Sequence, residues 1–290
     1  MSRDDGILVT REQASFVARE LRRGVMPGVL KASLRKAKWP EPLIKALMGP
    51  AFEGNIAQNL VDHDTIYNAR ICELAKSHPD IRQVATPKAQ VFTWSNFLKP
   101  DVCDRLIAQT EALWRDSTVA DAFADPKIRT SRTADIGTRG DALIFSIDQA
   151  MGEALGFHWS YSDPSQTQRY EPGQEYKAHH DYFTPGSRDY QVECQDRGQR
   201  TWTFMVYLSE VEDGGGTRFR KLDKMFMPER GSAVIWNNLN RDGSVNPWTL
   251  HHGMKVRKGT KYIITKWFRE RGWGPIRLKD RPASGTLQAP

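Results

Sequence analysis

The sequence predicts a mainly β protein, built as a sandwich or jelly roll, behind an N-terminal helical region. Three observations predict this class: short strand-like segments follow one another from residue 166 onward, turn residues separate them, and no long helical pattern lies between them. Antiparallel strands at this spacing are typical of sandwiches and jelly rolls. The predicted strands of this part are 167–170, 175–180, 200–208, 217–221, 232–236, 250–254 and 261–268.

The first third of the chain has helical periodicity instead. Thr10 and Gln13 resemble a capping box, and apolar residues follow at the spacing of one helix face, which predicts a helix over 11–23. Pro79 and Pro87 bracket the change to strand patterning. We therefore predict a helical region (1–88), a β domain (89–271) and a flexible C-terminal tail (272–290), with further helices in the first region over 29–38, 42–48 and 60–77.

The β domain is predicted to begin with supporting elements. A strand over 91–94 is followed by Asn96, Pro100 and a helix that runs to about residue 114, and a strand over 128–138 precedes a helix over 142–156. We expect both helices to pack outside the sheets. Farther along, Gly214, Gly215 and Gly216 predict a hairpin turn, because no strand-to-helix transition follows that would make them a phosphate loop.

Composition excludes several classes. At 290 residues the chain can bury a full core, and its 39% hydrophobic content includes no run long enough to cross a membrane. The N-terminus has no apolar segment typical of a secretory signal. Cys72, Cys103 and Cys194 are widely spaced and odd in number, which predicts reduced thiols in a cytoplasmic protein and excludes a cysteine-based metal site.

The charge is positive and uneven. The net charge is +7, and residues 11–38 hold eight basic side chains against two acidic ones. This run is either a solvated helix face or a docking surface for RNA, the ribosome or an acidic protein. The oligomeric state is left open by the sequence.

The strand predicted over 175–180, with Asp181 just after it, supplies two of the three protein ligands of a metal site. His179 and Asp181 are two residues apart, so a strand would direct both side chains to one face. Two histidines and one carboxylate are the usual protein ligands of non-haem Fe(II), and His251 on a later strand is the candidate for the third ligand. Lys261 follows ten residues later and suits a dicarboxylic cosubstrate. His180 and His252 point the other way on ideal strands.

A histidine and a carboxylate two residues apart are weak as a motif, but the ordered set is specific. Tyr170, the His179-x-Asp181 pair, His251 and Lys261 together resemble the 2-oxoglutarate and Fe(II)-dependent oxygenases, in particular the prolyl 4-hydroxylase-like subgroup. The resemblance covers about residues 89–269, with supporting stretches at 96–107, 128–131, 205–219 and 265–268. The expected core is the double-stranded β-helix, which is a jelly roll with a metal site at its open end.

The resemblance implies a set of cofactors. Fe(II) is expected on His179, Asp181 and His251, with 2-oxoglutarate and O2 as cosubstrates and ascorbate as a candidate reductant. Lys261 is expected to neutralise the distal carboxylate of 2-oxoglutarate, and Thr265 shares its strand face.

Other candidate residues have open alternatives. Tyr170 and Tyr207 either donate phenol hydrogen bonds to the cosubstrate or belong to the core. Arg129 either faces substrate or lies on an edge strand. The polar segment 183–199 predicts a lid loop, in which Arg188 and Tyr190 contact a peptide, or else an unstructured connection.

The resulting prediction is an enzyme that hydroxylates an unactivated C–H bond with release of succinate and CO2. A prolyl residue of a protein or peptide is the first candidate substrate, and a free amino acid or a small peptide natural product is the alternative. Asp181 favours hydroxylation over halogenation, and the closing strand lacks the arginine-rich pattern of nucleic-acid demethylases. From another class, a non-catalytic, cupin-like metal-binding module with a basic region that docks RNA or protein stays possible.

Overall fold

The computed structural model describes residues 13, 16–17, 20–21, 25, 27–53, 61–117, 128–136 and 142–272. Within these residues the helices are α1 (Pro27–Lys36), α2 (Glu41–Met48), α3 (His63–Tyr67), α4 (Ile71–Ser77), α5 (Pro100–Thr110), α6 (Ala142–Leu155) and α7 (Arg188–Arg197). The strands are β1 (Ile81–Gln83), β2 (Val91–Trp94), β3 (Arg115–Asp116), β4 (Arg132–Asp135), β5 (Gln166–Tyr170), β6 (Tyr176–His179), β7 (Arg200–Tyr207), β8 (Asp213–Gly214), β9 (Thr217–Phe219), β10 (Lys224–Phe226), β11 (Ala233–Asn237), β12 (His251–Gly253), β13 (Val256–Lys258) and β14 (Lys261–Arg269).

Two antiparallel sheets make the jelly roll that the sequence predicts. The larger sheet has eight strands in the order β1-β2-β11-β7-β14-β5-β4-β3, and the smaller has four in the order β10-β9-β12-β6. A third pair, β13 and β8, closes one side. The order is not sequential, so neighbouring strands come from distant parts of the chain. The mainly β, jelly-roll prediction is confirmed.

The central strands of the larger sheet are buried on both faces. In β7, Trp202, Phe204 and Val206 point to one face, while Thr203 and Met205 point to the other. The first face packs against α5 and α6 in the main hydrophobic core. The second face points between the sheets, and that is where polar side chains collect.

Helix α6 covers the outer face of the larger sheet with an apolar stripe. Ile144, Ile147, Met151 and Leu155 recur at helical spacing and are at most 5% exposed. Each such side chain contributes about 1.5–3 kcal/mol through burial. Helices α3 and α4 add to the same core, and β1 joins the larger sheet ahead of the boundary expected at residue 89. The three-part domain division itself stays a prediction.

The N-terminal helices form a separate small core. Leu30 and Leu34 of α1 pack with Ile44 and Met48 of α2, and Val17 lies in the same cluster. Most of the helix predicted over 11–23 lies outside the described residues, although the positions described there are helical. The tail from residue 273 onward also lies outside them.

Two side chains of the predicted basic surface make hydrogen bonds to residues of the N-terminal helical region. The Lys31 ammonium donates to the Phe52 carbonyl at 2.7 Å, and the Arg35 guanidinium donates to the Glu41 carboxylate at 2.9 Å. Several other basic residues of the run lie outside the described residues. None of the helices in the described ranges is both long enough and apolar enough to cross a membrane.

Two predicted elements in the first half of the chain were wrong in extent. The single helix expected over 60–77 is two helices, because the backbone leaves the helical conformation at Asn68, where φ is −96 and ψ is 34. The Asn68 side chain there donates to the Asp64 carbonyl at 2.9 Å. The strand expected over 128–138 is limited among the described residues to β4.

The glycine turn was also assigned wrongly. Gly214 ends β8 and Gly216 precedes β9, which belong to different sheets, so the three glycines form a crossing between sheets and not a hairpin. Gly214 has φ +80, and a Cβ there would collide with the Lys255 carbonyl oxygen. The crossing needs glycine because two backbones touch.

Candidate active site

A cavity of about 530 Å³ opens between the two sheets. Strands β5, β7 and β14 of the larger sheet line one wall, and β6, β9 and β12 of the smaller sheet line the other. The predicted residues His179, Asp181, His251, Lys261 and Tyr170 all lie on these walls.

Strand pairing creates the three-residue cluster. His179 of β6 lies directly opposite His251 of β12, and their ring centroids are 4.2 Å apart. Asp181 follows β6, and its Oδ1 lies 3.6 Å from His179 Nε2 and 3.8 Å from His251 Nε2. One ligand atom from each residue lies within 4.8 Å of the other two. These distances fit three ligands around one metal ion, as Fe(II) requires.

The backbone fixes the tautomer of both histidines. His179 Nδ1–H donates to the Lys177 carbonyl at 2.7 Å, and His251 Nδ1–H donates to the Thr249 carbonyl at 3.0 Å. A neutral imidazole that donates through Nδ1 keeps a lone pair on Nε2. Both lone pairs therefore face Asp181, as a metal site needs.

A chain of hydrogen bonds orients the Asp181 carboxylate. Thr203 Oγ1 donates to Asp181 Oδ2 at 2.8 Å and accepts from Asn238 Nδ2 at 2.9 Å. Asn238 Oδ1 in turn accepts from Trp236 Nε1 at 3.1 Å. Because Thr203 occupies Oδ2, the other oxygen, Oδ1, is left for the metal. Thr203 and Asn238 were absent from the predicted site.

Burial and mutual charge set the protonation of the cluster. Burial, with the charge of His251, holds the pKa of His179 well below its usual range. Burial alone would raise the pKa of Asp181, but the attraction that the His251 and His179 rings exert when protonated, the charge of Arg200 and the hydrogen bond from Thr203 outweigh it and lower that pKa. A neutral imidazole beside a carboxylate is the ionisation that metal binding requires.

Aromatic rings hold the imidazoles in place. Tyr176 stacks on His179 with a centroid distance of 3.5 Å and an angle of 15°. Trp236 and Phe219 lie 4.8 Å and 5.5 Å from the His251 ring. Both histidine rings are thus restricted before any metal binds.

Lys261 lies on the other wall with its amine buried. Its side chain is 1% exposed, and Nζ lies 5.1 Å from the Tyr170 ring centroid and 5.4 Å from that of Tyr207. Within the described part of the chain it has no carboxylate partner. Burial therefore lowers the pKa of Lys261 to about 7. An anion entering the cavity would restore its charge, which fits a dicarboxylic cosubstrate.

The remaining predicted cosubstrate residues separate into two groups. Tyr170 and Thr265 line the cavity. Tyr207 does not; its hydroxyl donates to Thr217 Oγ1 at 2.7 Å and lies 3.1 Å from the Phe226 carbonyl oxygen. Tyr207 therefore supports the wall behind Lys261, and its contact with cosubstrate stays a prediction.

Of the predicted substrate residues, one lines the cavity and two do not. Arg129 lines the cavity, with its guanidinium carbon 4.9 Å from the Tyr176 ring centroid and its Nη2 donating to Thr133 Oγ1 at 3.1 Å. Arg188 and Tyr190 are not on the cavity wall, whereas Ser187 and Asp189 of the same segment are. The roles of all three predicted residues stay predictions.

The expected lid loop is largely a helix. Residues of α7 follow Ser187, whose side chain accepts from the Tyr190 backbone N–H at 3.1 Å, and the helix ends at Gly198 with φ +69. These two caps satisfy the free backbone groups of the helix ends. The segment borders the cavity, so the alternative of an unstructured connection is wrong, while its covering of substrate stays a prediction.

Arg200 connects this helix to the metal cluster. Its Nη1 donates to the Asp181 carbonyl at 3.3 Å, and its Nε donates to Asp163 Oδ2 at 3.1 Å. Asp163 also pairs with Arg197 of α7 and with Arg269 of β14. Sequence reasoning missed this cluster because its members are far apart in the chain.

The two histidines left out of the predicted site have other partners. His252 Nε2 lies 2.9 Å from Glu175 Oε2, and His180 Nε2 lies 3.3 Å from the Pro247 carbonyl oxygen. Neither belongs to the three-residue cluster.

Parts of this chain are similar to known proteins. Residues 165–269 match the family described as the 2OG-Fe(II) oxygenase superfamily. Prolyl 4-hydroxylase 5 of Arabidopsis thaliana is 29% identical over 205 residues, which are 63% of this chain and 68% of the plant protein. Prolyl 4-hydroxylase subunit alpha-2 of Gallus gallus is 31% identical over 144 residues, which are 50% of this chain and 26% of the chicken protein. Among solved structures, the 2OG complex of the viral collagen prolyl hydroxylase vCPH from Paramecium Bursaria Chlorella virus-1 aligns with 26% identity and a TM-score of 0.49, over 62% of this chain and 95% of that one.

Proposed function

We propose that this chain, a member of the 2OG-Fe(II) oxygenase superfamily related to prolyl 4-hydroxylases, hydroxylates a prolyl residue of a protein or peptide. Succinate and CO2 would leave as the products of 2-oxoglutarate. The observation that carries the proposal is the position of the His179, Asp181 and His251 cluster across one cavity from the buried amine of Lys261.

The residues present fit the expected cofactors. His179, Asp181 and His251 would hold Fe(II) through Nε2, Oδ1 and Nε2, because their other polar atoms already have partners. Lys261 would bind the distal carboxylate of 2-oxoglutarate. When bound, Fe(II) supplies the redox chemistry that couples 2-oxoglutarate and O2 to hydroxylation of a C–H bond.

The protein's own contribution is orientation and exclusion of water. Thr203 holds Asp181 with one oxygen free, and the stacked Tyr176 fixes the His179 ring. Met205, Ile263 and Trp236 supply apolar surface to the cavity wall. A dry wall strengthens the attraction between Lys261 and a carboxylate, because charges interact more strongly at low dielectric constant.

The prolyl substrate is supported by the relatives and by the size of the cavity. The matched plant and chicken proteins are named as prolyl 4-hydroxylases. A cavity of about 530 Å³ has room for a residue of a peptide beside a small dicarboxylate. Arg129, on the rim with its guanidinium over Tyr176, is the proposed contact for a peptide carbonyl. A free amino acid or a small peptide natural product is the rival substrate.

The test begins with binding and ends with turnover. Under anaerobic conditions, Fe(II) and 2-oxoglutarate should produce a metal-to-ligand charge-transfer band. Admission of O2 with a proline-containing peptide should then give succinate and a peptide one oxygen atom heavier. Succinate without any peptide oxidation, for every peptide tried, would exclude the prolyl substrate and favour the rival. Absence of the band would refute the oxygenase.

Adjacent histidines provide a matched control. His251→Ala should abolish the band, because it removes a ligand from the cluster. His252→Ala should retain it, because His252 contacts Glu175 and not the cluster. Equal loss in both variants would mean that the band reports the fold and not the ligand.

We also propose ascorbate as the reductant and the cytoplasm as the compartment. Cys72, Cys103 and Cys194 are free thiols, which is the state expected in a reducing compartment. Omitting ascorbate should shorten the time over which succinate accumulates, and unchanged progress curves would exclude that role.

A further inference from the structure

Three polar side chains on the cavity wall that are at most 4% exposed have no side-chain hydrogen-bond partner within the described residues. They are Lys261, Thr265 and Gln168, which are 1%, 4% and 4% exposed. Buried polar groups in proteins are nearly always hydrogen-bonded, so such a group on a cavity wall points to a ligand. Lys261 and Thr265 already have a proposed ligand. Gln168 does not, and no motif drew attention to it.

Comparison with the neighbouring Gln166 shows that the lack of a hydrogen-bond partner is specific to position 168. Gln166 lies on the same strand and the same face, and its Nε2 donates to Asp135 Oδ1 at 3.0 Å. Gln168 faces Thr133 in the register of β4, but the Thr133 hydroxyl already contacts Ser117 at 2.6 Å and Arg129 at 3.1 Å. The carboxamide of Gln168 is thus left facing the cavity.

The register of β5 and β14 places Gln168 beside the cosubstrate residues. Lys261 lies opposite Tyr170, and Thr265 lies opposite Gln166, so Gln168 is the diagonal neighbour of both Lys261 and Thr265. Diagonal neighbours on one face of a sheet are about 7–8 Å apart, which long side chains can span. A group bound between Lys261 and Thr265 is therefore within reach of the Gln168 carboxamide.

We propose that Gln168 is a cosubstrate-binding residue. Its Nε2 donates to the 2-oxoglutarate carboxylate that Lys261 neutralises, and its Oε1 accepts from the Lys261 ammonium. A carboxamide suits this place because it donates to the anion and accepts from the cation without changing the net charge. The inference rests on the proposed function, since it names a further contact for the same cosubstrate.

The decisive measurement is 2-oxoglutarate affinity in the Fe(II)-loaded protein without O2. Gln168→Leu should raise the Kd for 2-oxoglutarate about tenfold, the effect of losing one hydrogen bond to a charged group. The Kd for Fe(II) should not change. Gln166→Leu, which alters the same face of the same strand, should leave the 2-oxoglutarate Kd within about twofold of the wild type, because its amide is bound to Asp135.

A second variant tests the contact with Lys261 without cosubstrate. Gln168→Glu keeps the shape but adds a carboxylate that can pair with Lys261. The cosubstrate-free protein should then melt at a higher temperature than the wild type, while 2-oxoglutarate should bind more weakly than to Gln168→Leu. The melting temperature does not depend on turnover, so it reports the geometry alone.

Several results would overturn the inference. If Gln168→Leu bound 2-oxoglutarate as tightly as the wild type, the contact would be excluded. A change confined to the KM for peptide would also exclude it and would make Gln168 a substrate-binding residue. A lower melting temperature in Gln168→Glu would exclude proximity to Lys261. Failure of the proposed function looks different, because the wild-type protein itself would then not bind 2-oxoglutarate.

Discussion

Binding of 2-oxoglutarate is expected to be coupled to uptake of a proton by Lys261. Burial lowers the pKa of Lys261 from 10.5 to about 7. A carboxylate beside the amine favours its charged form and returns the pKa towards its ordinary value. Above pH 7 the free protein therefore holds a neutral amine and the complex an ammonium, so binding must take a proton from solution.

The number of protons follows from the two pKa values. With a pKa of about 7, roughly one tenth of the free protein is protonated at Lys261 at pH 8, so uptake should be about 0.9 proton per cosubstrate. At pH 6 about nine tenths is already protonated, so uptake should fall to about 0.1. Apparent affinity should accordingly decrease as the pH rises from 7 towards 10.

The assay is titration calorimetry of the metal-loaded, anaerobic protein in buffers with different ionisation enthalpies. The dependence of observed heat on buffer enthalpy gives the proton number directly. Lys261→Met keeps a long side chain but no amine. This variant should take up no proton in a pH-dependent way and should bind 2-oxoglutarate about a hundredfold more weakly. Equal proton uptake in Lys261→Met and wild type, or none in the wild type at pH 8, would refute the assignment.

The same pKa has a consequence for the free protein. One pKa unit corresponds to about 1.4 kcal/mol, so holding a protonated amine at this site costs about 5 kcal/mol relative to water. The unfolded chain binds a proton that the folded chain lacks between about pH 7 and 10.5, so the Lys261 contribution to the free energy of unfolding rises with pH in that window.

Three further predictions address the support of the site. Thr203→Val should weaken Fe(II) binding about 10–100-fold with little change in unfolding, because Asp181 loses the hydrogen bond to Oδ2; unchanged metal affinity in equilibrium titrations would contradict this role. Gly214→Ala should lower the free energy of unfolding by well over the 1–2 kcal/mol or so expected for Gly173→Ala. Both glycines have positive φ, but only at Gly214 would a Cβ collide with the backbone, at the Lys255 carbonyl. Equal losses of stability in urea unfolding would contradict this collision. Burial opposes ionisation of Asp163, yet three arginines lower its pKa to about 2. Asp163→Asn should therefore lower the free energy of unfolding by about 3–5 kcal/mol above pH 4, and this difference should shrink as the pH falls through about 2. A difference in unfolding free energy that does not change with pH would refute this prediction.

The positions of the proposed ligands could be predicted because their signal is local. His179 and Asp181 needed only the two-residue period of a strand, and Lys261 needed only its offset from His251. The two-residue relation holds for any strand, whereas the offset of Lys261 has meaning through the resemblance to the oxygenase family. The jelly-roll class followed in the same way from the spacing of strands and turns.

The supporting residues could not be predicted because their signal depends on strand order. Thr203 reaches Asp181 only because β7 passes beneath the end of β6, and Asn238 follows β11, a neighbour of β7. A threonine in a strand and an asparagine after one are common in any β protein. Their role appears only when the register is known.

Helix α7 was missed for a different reason. Its sequence is RDYQVECQDR, and among its described side chains Cys194 is the one that is buried. Periodicity detects a helix through its buried stripe, and this helix has none. Its ends determine it instead: Ser187 caps the first turn and Gly198 ends the last.

The two halves of the site belong to different sheets. His179 and His251 lie on the four-stranded sheet, and Lys261 lies on the eight-stranded sheet. Facing sheets pack about 10 Å apart, a distance set by all the side chains between them. The length of diacid that can touch both sheets is therefore a property of the whole sandwich. We therefore expect discrimination between 2-oxoglutarate and a diacid one carbon shorter or longer to depend on the separation of the two sheets as well as on the side chains of the cavity wall.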